Sequence, residues 1–171
     1  MNRIMITGTN AGAGKSTFAR LLGKKLDINP THLDTFFWKP GWEMASPDEM
    51  TTKIKEVLNK DRWIIDGSYT KYLFEERIKL ADTIFFFDFN RFVCIYSAIK
   101  RRIMYHNKER QDMGKGCIEK FDLVFFKFML FDAHKNKKYK LDLVNNIKDK
   151  KVVIFKNRKQ VNEYLSSILE V

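Results

Sequence analysis

The chain has 171 residues, 44% of them hydrophobic with fifteen Phe, two cysteines and a formal net charge of +11 at pH 7. That length suits one domain with a real core. The longest apolar runs, 83–87 and 123–126, fall well short of the roughly 20 residues that cross a bilayer. No signal-peptide pattern opens the sequence, so a soluble cytoplasmic protein that avoids the membrane is expected. Cys94 and Cys117 point to neither a disulfide framework nor a zinc site. The charge is uneven: residues 100–160 hold eighteen Lys/Arg against seven Asp/Glu. Such a block either attracts polyanions, nucleoside triphosphates and nucleic acid among them, or solvates one face.

Residues 2–7 read as the first strand and 16–26 as a helix. Between them lies Gly12-Ala13-Gly14-Lys15-Ser16-Thr17. Strand, glycine loop and GKS at a helix start form the context of a phosphate loop. Its backbone N–H groups would face phosphate oxygens at the positive end of the helix. Lys15 would hold the β/γ-phosphates, and Ser16 would offer its hydroxyl to Mg²⁺. Five residues separate Gly8 from Gly14 where the usual pattern has four. Either the loop is a residue long or Thr9 stands in the first glycine's place.

Residues 31–33 read as a second strand delivering Asp34 at its carboxyl end, where open α/β sheets bind ligands. An aromatic loop follows, with Phe36, Phe37, Trp38 and Trp42 around a Pro-Gly turn; it either pads the core or walls a flat acceptor. Ser46-Pro47-Asp48-Glu49 is a capping box opening a helix to about residue 59. Residues 63–66 form the next strand, whose terminal Asp66 fits a Mg²⁺ carboxylate or a turn cap. A short helix over 72–79 carries Arg77. Residues 83–87 have the unbroken apolar run of a strand covered on both faces. A helix capped by Asn90 then ends in Lys100-Arg101-Arg102. The polar stretch 108–116 suggests a lid, and 118–134 resumes a helical pattern with Phe on two faces. Strand 152–155 and helix 160–169 close the chain. Alternation of strand and helix from a phosphate loop predicts a P-loop NTPase: three-layer α/β/α, a five-stranded parallel sheet and a small helical lid. Residues 1–171 are expected to be a single domain, with 101–117 as its lid.

Six motifs in order, GAGKST, HLDTFFWKPGW (32–42), WIIDGSY (63–69), ADTIFFFD (81–88), KRR (100–102) and RQDMGKGCIEK (110–120), resemble the adenylate-kinase-related family known as DNA topology modulation (FlaR-like) proteins. The resemblance implies a fold of the nucleoside monophosphate kinase type, with ATP and Mg²⁺ as cofactors. By position it makes Lys15, Arg101, Arg102 and Arg110 catalytic, the arginines closing from the lid. Residues Gly12 to Thr17 would bind ATP, Ser16 and Asp66 the metal, and Asp34, Trp38 and Arg77 the acceptor. Two departures stand out: the long phosphate loop, and the lack of any arginine between Asp34 and Lys60 or directly after Asp66, where adenylate-type kinases grip an acceptor phosphate. The expected activity is phosphoryl transfer from ATP to an unidentified small-molecule acceptor, nucleotide or hydroxyl compound. The alternative is an ATP-binding, DNA-associated regulatory protein using the basic 100–160 block. The two-faced Phe-rich helix allows either a monomer or a homodimer.

Overall fold

The computed structural model describes residues 1–108, 110, 112–118, 127, 130 and 136–169. The expected helix over 118–134, and with it the Phe-rich surface invoked for a homodimer, lies almost wholly outside these residues. In chain order the elements are β1 (Arg3–Gly8), α1 (Lys15–Leu26), β2 (Pro30–His32), α2 (Leu33–Phe37), β3 (Trp38–Lys39), β4 (Glu43–Met44), α3 (Pro47–Leu58) and β5 (Trp63–Asp66). They continue with α4 (Phe74–Leu80), β6 (Thr83–Phe87), α5 (Arg91–Met104), α6 (Lys137–Asn145), β7 (Lys151–Phe155) and α7 (Arg158–Leu169).

Five strands pair in the order β2-β5-β1-β6-β7, all parallel, with Ile4 opposite Ile64 on one side and Thr83 on the other. Pro30 is tolerated because β2 is an edge strand, where a missing N–H costs no ladder bond. Side chains leave successive strand positions on opposite faces, and both faces are covered. Ile4, Ile6, Phe85 and Phe87 pack with Phe18 and Leu22 of α1 and Tyr164 of α7. Met5, Ile65 and Ile84 pack with Met50 and Ile54 of α3, Phe74 of α4 and Leu143 of α6. The three-layer α/β/α architecture follows directly. The first face is dominated by Phe18, whose ring meets Phe85, Phe87 and Phe155 edge-on at centroid distances of 4.8, 5.5 and 5.5 Å.

The capping box forms as expected: Ser46 Oγ accepts from the Glu49 N–H, and Glu49 accepts from the Ser46 N–H at 2.8 Å. Two stretches depart from the sequence reading. Residues 33–37 are a short helix rather than strand end and loop, because Leu33 turns inward while Asp34 takes the first turn. The expected aromatic loop is an antiparallel hairpin, β3 against β4, around a turn at Pro40–Trp42. Helix α6 had no counterpart in the sequence reading, since the lysine run hid its inward positions, Lys140 and Val144, one turn apart. No described helix is long and apolar enough to cross a membrane.

Candidate active site

The loop from β1 to α1 lies at the carboxyl end of the central strand. Gly8 belongs to β1, opposite Phe87, and the Thr9 N–H still bonds to the Phe87 carbonyl at 3.1 Å. The strand pairing thus runs one residue past Gly8, and four residues separate Thr9 from Gly14. Gly12 has φ 82° and lies so near α5 that a Cβ would stand 2.3 Å from the Cys94 carbonyl oxygen. Gly14, at φ 90°, caps α1. Among the described residues, the N–H groups of residues 11–16 bond to no acceptor within the chain. Lys15 reaches back across them, its Nζ donating to the Asn10 carbonyl at 2.8 Å. Unpaired N–H groups and a lysine ammonium are thus gathered at a helix N-terminus.

Asp66 ends the neighbouring strand β5. It is 5% exposed; His32 Nδ1 donates to its Oδ2 at 2.9 Å, while Oδ1 is enclosed with no partner among the described residues. Ser68, two residues on, accepts from the Gly8 N–H at 3.2 Å and donates to the Gly8 carbonyl at 2.8 Å, tying the strand-end turn to the carboxyl end of β1.

Asp34 stands in the first turn of α2, close enough to Asp66, Arg110 and Lys15 to feel their charges. The Tyr69 hydroxyl donates to its Oδ1 at 2.5 Å. Loss of water raises the Asp34 carboxyl above its usual range, with Tyr69 partly offsetting this, and burial together with Asp34 raises the Tyr69 phenol. A ring cluster adjoins the pair: Phe37 lies 5.0 Å from Tyr69 and 4.9 Å from Trp38, and Trp38 lies 5.4 Å from Trp42. Trp42 is held at φ 67°, a left-handed conformation unusual for so large a residue.

The stretch 110–118 is joined to this hairpin. The Gly41 N–H bonds to the Gly116 carbonyl at 3.3 Å, Cys117 Sγ donates to the Lys39 carbonyl at 3.2 Å, and Trp42 Nε1 donates to the Ile118 carbonyl at 2.9 Å. Gly114 sits so close that a Cβ there would stand 1.8 Å from the Trp38 carbonyl oxygen. Arg110 is 8% exposed and pairs with Asp112 at 3.2 Å. Burial pushes the Asp112 carboxyl up, but Arg110, the Ser16 hydroxyl and Arg101 together hold it below its ordinary value. Residues 110–118 thus touch both the phosphate loop and the aromatic hairpin.

The structure brings Lys15, Ser16, Asp34, Asp66, Arg101 and Arg110 to one end of the sheet, and Trp38 onto the adjoining hairpin. Arg102 is buried on α5. Arg77 requires a correction. It is fully enclosed, donating to the Gly67 carbonyl at 2.9 Å and the Tyr69 carbonyl at 2.7 Å. A guanidinium spent on two backbone oxygens beneath the strand-end turn supports Asp34's neighbours rather than reaching an acceptor itself.

Solved structures resemble this chain at low identity. A provisionally assigned kinase from Chloroflexus aurantiacus superposes with a TM-score of 0.50 at 14% identity, over 99% of this chain and 98% of that one. The fold is P-loop kinase-like. A sugar kinase from a Janibacter species and an uncharacterized protein from Eubacterium ventriosum, each 13% identical with a TM-score of 0.46, cover 100% of this chain and 96% and 100% of their own. No family model matches the chain, and no curated protein does.

In such a fold a metal is tested by the groups present. The orphaned Oδ1 of Asp66 suits Mg²⁺, as does the Ser16 hydroxyl. No group of three or more His, Cys, Asp or Glu able to hold a metal occurs among the described residues. The sequence reading missed His32, Ser68 and Tyr69, which orient the carboxylates and the loop, although all three stand inside the distinctive HLD and DGSY motifs. It also missed Lys140. That side chain is 6% exposed, its Nζ donates to the Gly8 carbonyl at 3.3 Å, and burial, with Lys15 and Arg77 nearby, pushes it down to about 8. Nothing in a lysine-rich run marks one member as buried.

Proposed function

We propose that the protein is an ATP-dependent phosphotransferase acting on a small molecule, with the P-loop residues Gly12 to Thr17 binding the nucleotide. The observation that carries this is the set of N–H groups over residues 11–16 without internal acceptors, curled around Lys15 and faced by Asp34 and Asp66. Phosphoryl transfer needs donor and acceptor in line, positive charge on the equatorial oxygens and exclusion of water. In this reading Lys15, Arg101 and Arg110 supply the charge, with Arg102 behind them on the same helix as Arg101. Ser16 and Asp66 hold Mg²⁺, whose chemistry is to neutralise the β- and γ-oxygens of the nucleotide. Residues 101–117 act as the lid, and Asp34 and Trp38 face the acceptor.

Support for the DNA-associated alternative is weaker, because several lysines of the basic block are engaged inside the chain. Lys137 and Lys156 pair with Asp88 at 2.7 and 2.6 Å, and Lys150 donates to the Ile78 and Lys79 carbonyls. Calorimetry with MgATP tests the donor site, and loss of ATP turnover in Lys15→Ala tests the chemistry. Lys15→Ala should lower turnover about 10²- to 10³-fold while leaving the melting temperature unchanged. Absence of MgATP heat, or full turnover in the variant, refutes the reading.

A further inference from the structure

We infer that the phosphoryl acceptor is an uncharged, ring-bearing hydroxyl compound, of the sugar or nucleoside kind, and that a nucleoside monophosphate is refused. This deepens the phosphotransferase reading and depends on its donor site. Three observations carry it.

The first is the state of the cations on the acceptor side. An acceptor phosphate carries two negative charges into a cleft already holding a nucleotide's phosphates, so it needs dedicated cations of its own. Arg77 is fully enclosed and spent on two carbonyls. Lys39 is tied to Glu49 at 2.8 Å, and Lys53 lies over the Phe36 ring at 5.7 Å. Among the described residues Arg110 and Lys15 come near enough to Asp34 for their charges to act on it, but Arg110 pairs with Asp112 at 3.2 Å and Lys15 donates to the Asn10 carbonyl at 2.8 Å. The group left to meet an acceptor is the carboxylate of Asp34, which repels an anion.

The second is the arrangement of Asp34 itself. Tyr69 fixes Oδ1 at 2.5 Å, and Oδ2 makes no hydrogen bond with another described residue. One oxygen is locked in place and the other is left to receive a hydroxyl proton, as a general base requires. In the step, Oδ2 takes the proton from the acceptor O–H. The oxygen's electron pair forms the new O–Pγ bond, and the bond from Pγ to the β,γ-bridging oxygen breaks with its pair remaining on ADP.

The third is the wall. Phe37 and Tyr72 pack against Tyr69, and Trp38 and Trp42 continue the ring cluster from Phe37, a set of side chains suited to the apolar side of a sugar or base rather than to a phosphate. The strained backbone of Trp42 and its bond to the Ile118 carbonyl hold that wall in position.

The test offers MgATP with each of adenosine, uridine, thymidine and glucose, and separately with AMP, UMP and dTMP, and reads products by phosphorus NMR. The expected result is a phosphomonoester from at least one hydroxyl compound and no diphosphate from any monophosphate. With that acceptor, Asp34→Asn should lower transfer about 10²- to 10⁴-fold, and Tyr69→Phe about tenfold. Both variants should keep the wild-type MgATP heat. Transfer to a monophosphate, transfer to neither group of compounds, or full transfer in Asp34→Asn overturns the inference while MgATP still binds. If MgATP gives no heat with the wild-type chain, the donor reading itself has failed.

Discussion

The two sides of the cleft are built differently. The phosphate side is backbone: a loop whose N–H groups are aimed by one strand and one helix, both fixed by the Phe18 ring cluster directly beneath. The acceptor side is side chain: Asp34, Tyr69, the Trp38–Trp42 hairpin and residues 110–118 come from separate stretches and meet through single hydrogen bonds. A backbone cradle recognises what all nucleoside triphosphates share. A wall of side chains can be retuned residue by residue, and in the proposed reading substrate choice would reside there.

The division can be broken at its strongest point first. Phe18→Ala empties a ring site that is 1% exposed, and should cost about 4 kcal/mol of folding stability in denaturant melts. It should weaken MgATP binding with it, because α1 carries the loop. A variant that melts like the wild type would mean that α1 is held by something other than this cluster. Gly114→Ala comes next. Its new Cβ collides with the Trp38 carbonyl, so residues 110–118 and the hairpin must part, at about 1–3 kcal/mol. Tryptophan fluorescence from Trp38 and Trp42 should shift, and acceptor KM should rise more than the MgATP dissociation constant. Equal effects on both ligands would erase the distinction between the two sides.

Ser46→Ala removes the cap of α3 beyond the hairpin and should cost about 1 kcal/mol. Acceptor binding should change little, and urea midpoints report the difference. A separate, pH-dependent effect concerns Lys140. Its pKa is lowered in the fold to about 8, so between about pH 8 and the ordinary lysine value the unfolded chain binds more protons than the folded one. Folding stability gained from this group therefore rises with pH across that window. The melting temperature of the wild type, relative to Lys140→Met, should climb from pH 8 toward pH 10. A constant difference would show that Lys140 keeps its proton in the fold.

Periodicity located β1, β5, β6 and β7, because strands covered on both faces are runs of apolar residues, and the capping box marked the start of α3. Those signals are local in the chain. It failed at residues 33–44, where aromatic and charged residues alternate without a clear period. It failed again at α6, whose buried lysine looks like its exposed neighbours. Of the candidate site, the loop residues and Asp66 stand where the sequence put them, at fixed offsets from element boundaries, whereas Asp34 lies in the first turn of α2 rather than at a strand end. Arg77 was misread, since proximity in sequence to Asp66 does not say on which side of the strand-end turn a guanidinium falls.

What the sequence alone determined is the chain order of the five sheet strands and of helices α1, α3, α4, α5 and α7, with the glycine loop and Lys15 at the start of α1, features set by hydrophobic pattern and backbone conformation. Only the tertiary structure decided that His32 orients Asp66, that Tyr69 holds Asp34, that Lys140 lies under Gly8, and that residues 110–118 rest on the Trp38–Trp42 hairpin. These pairs are separated by 34, 35 and 132 residues in the first three cases. Contacts at such separations depend on how the sheet stacks its strands, and no local pattern of residues encodes that.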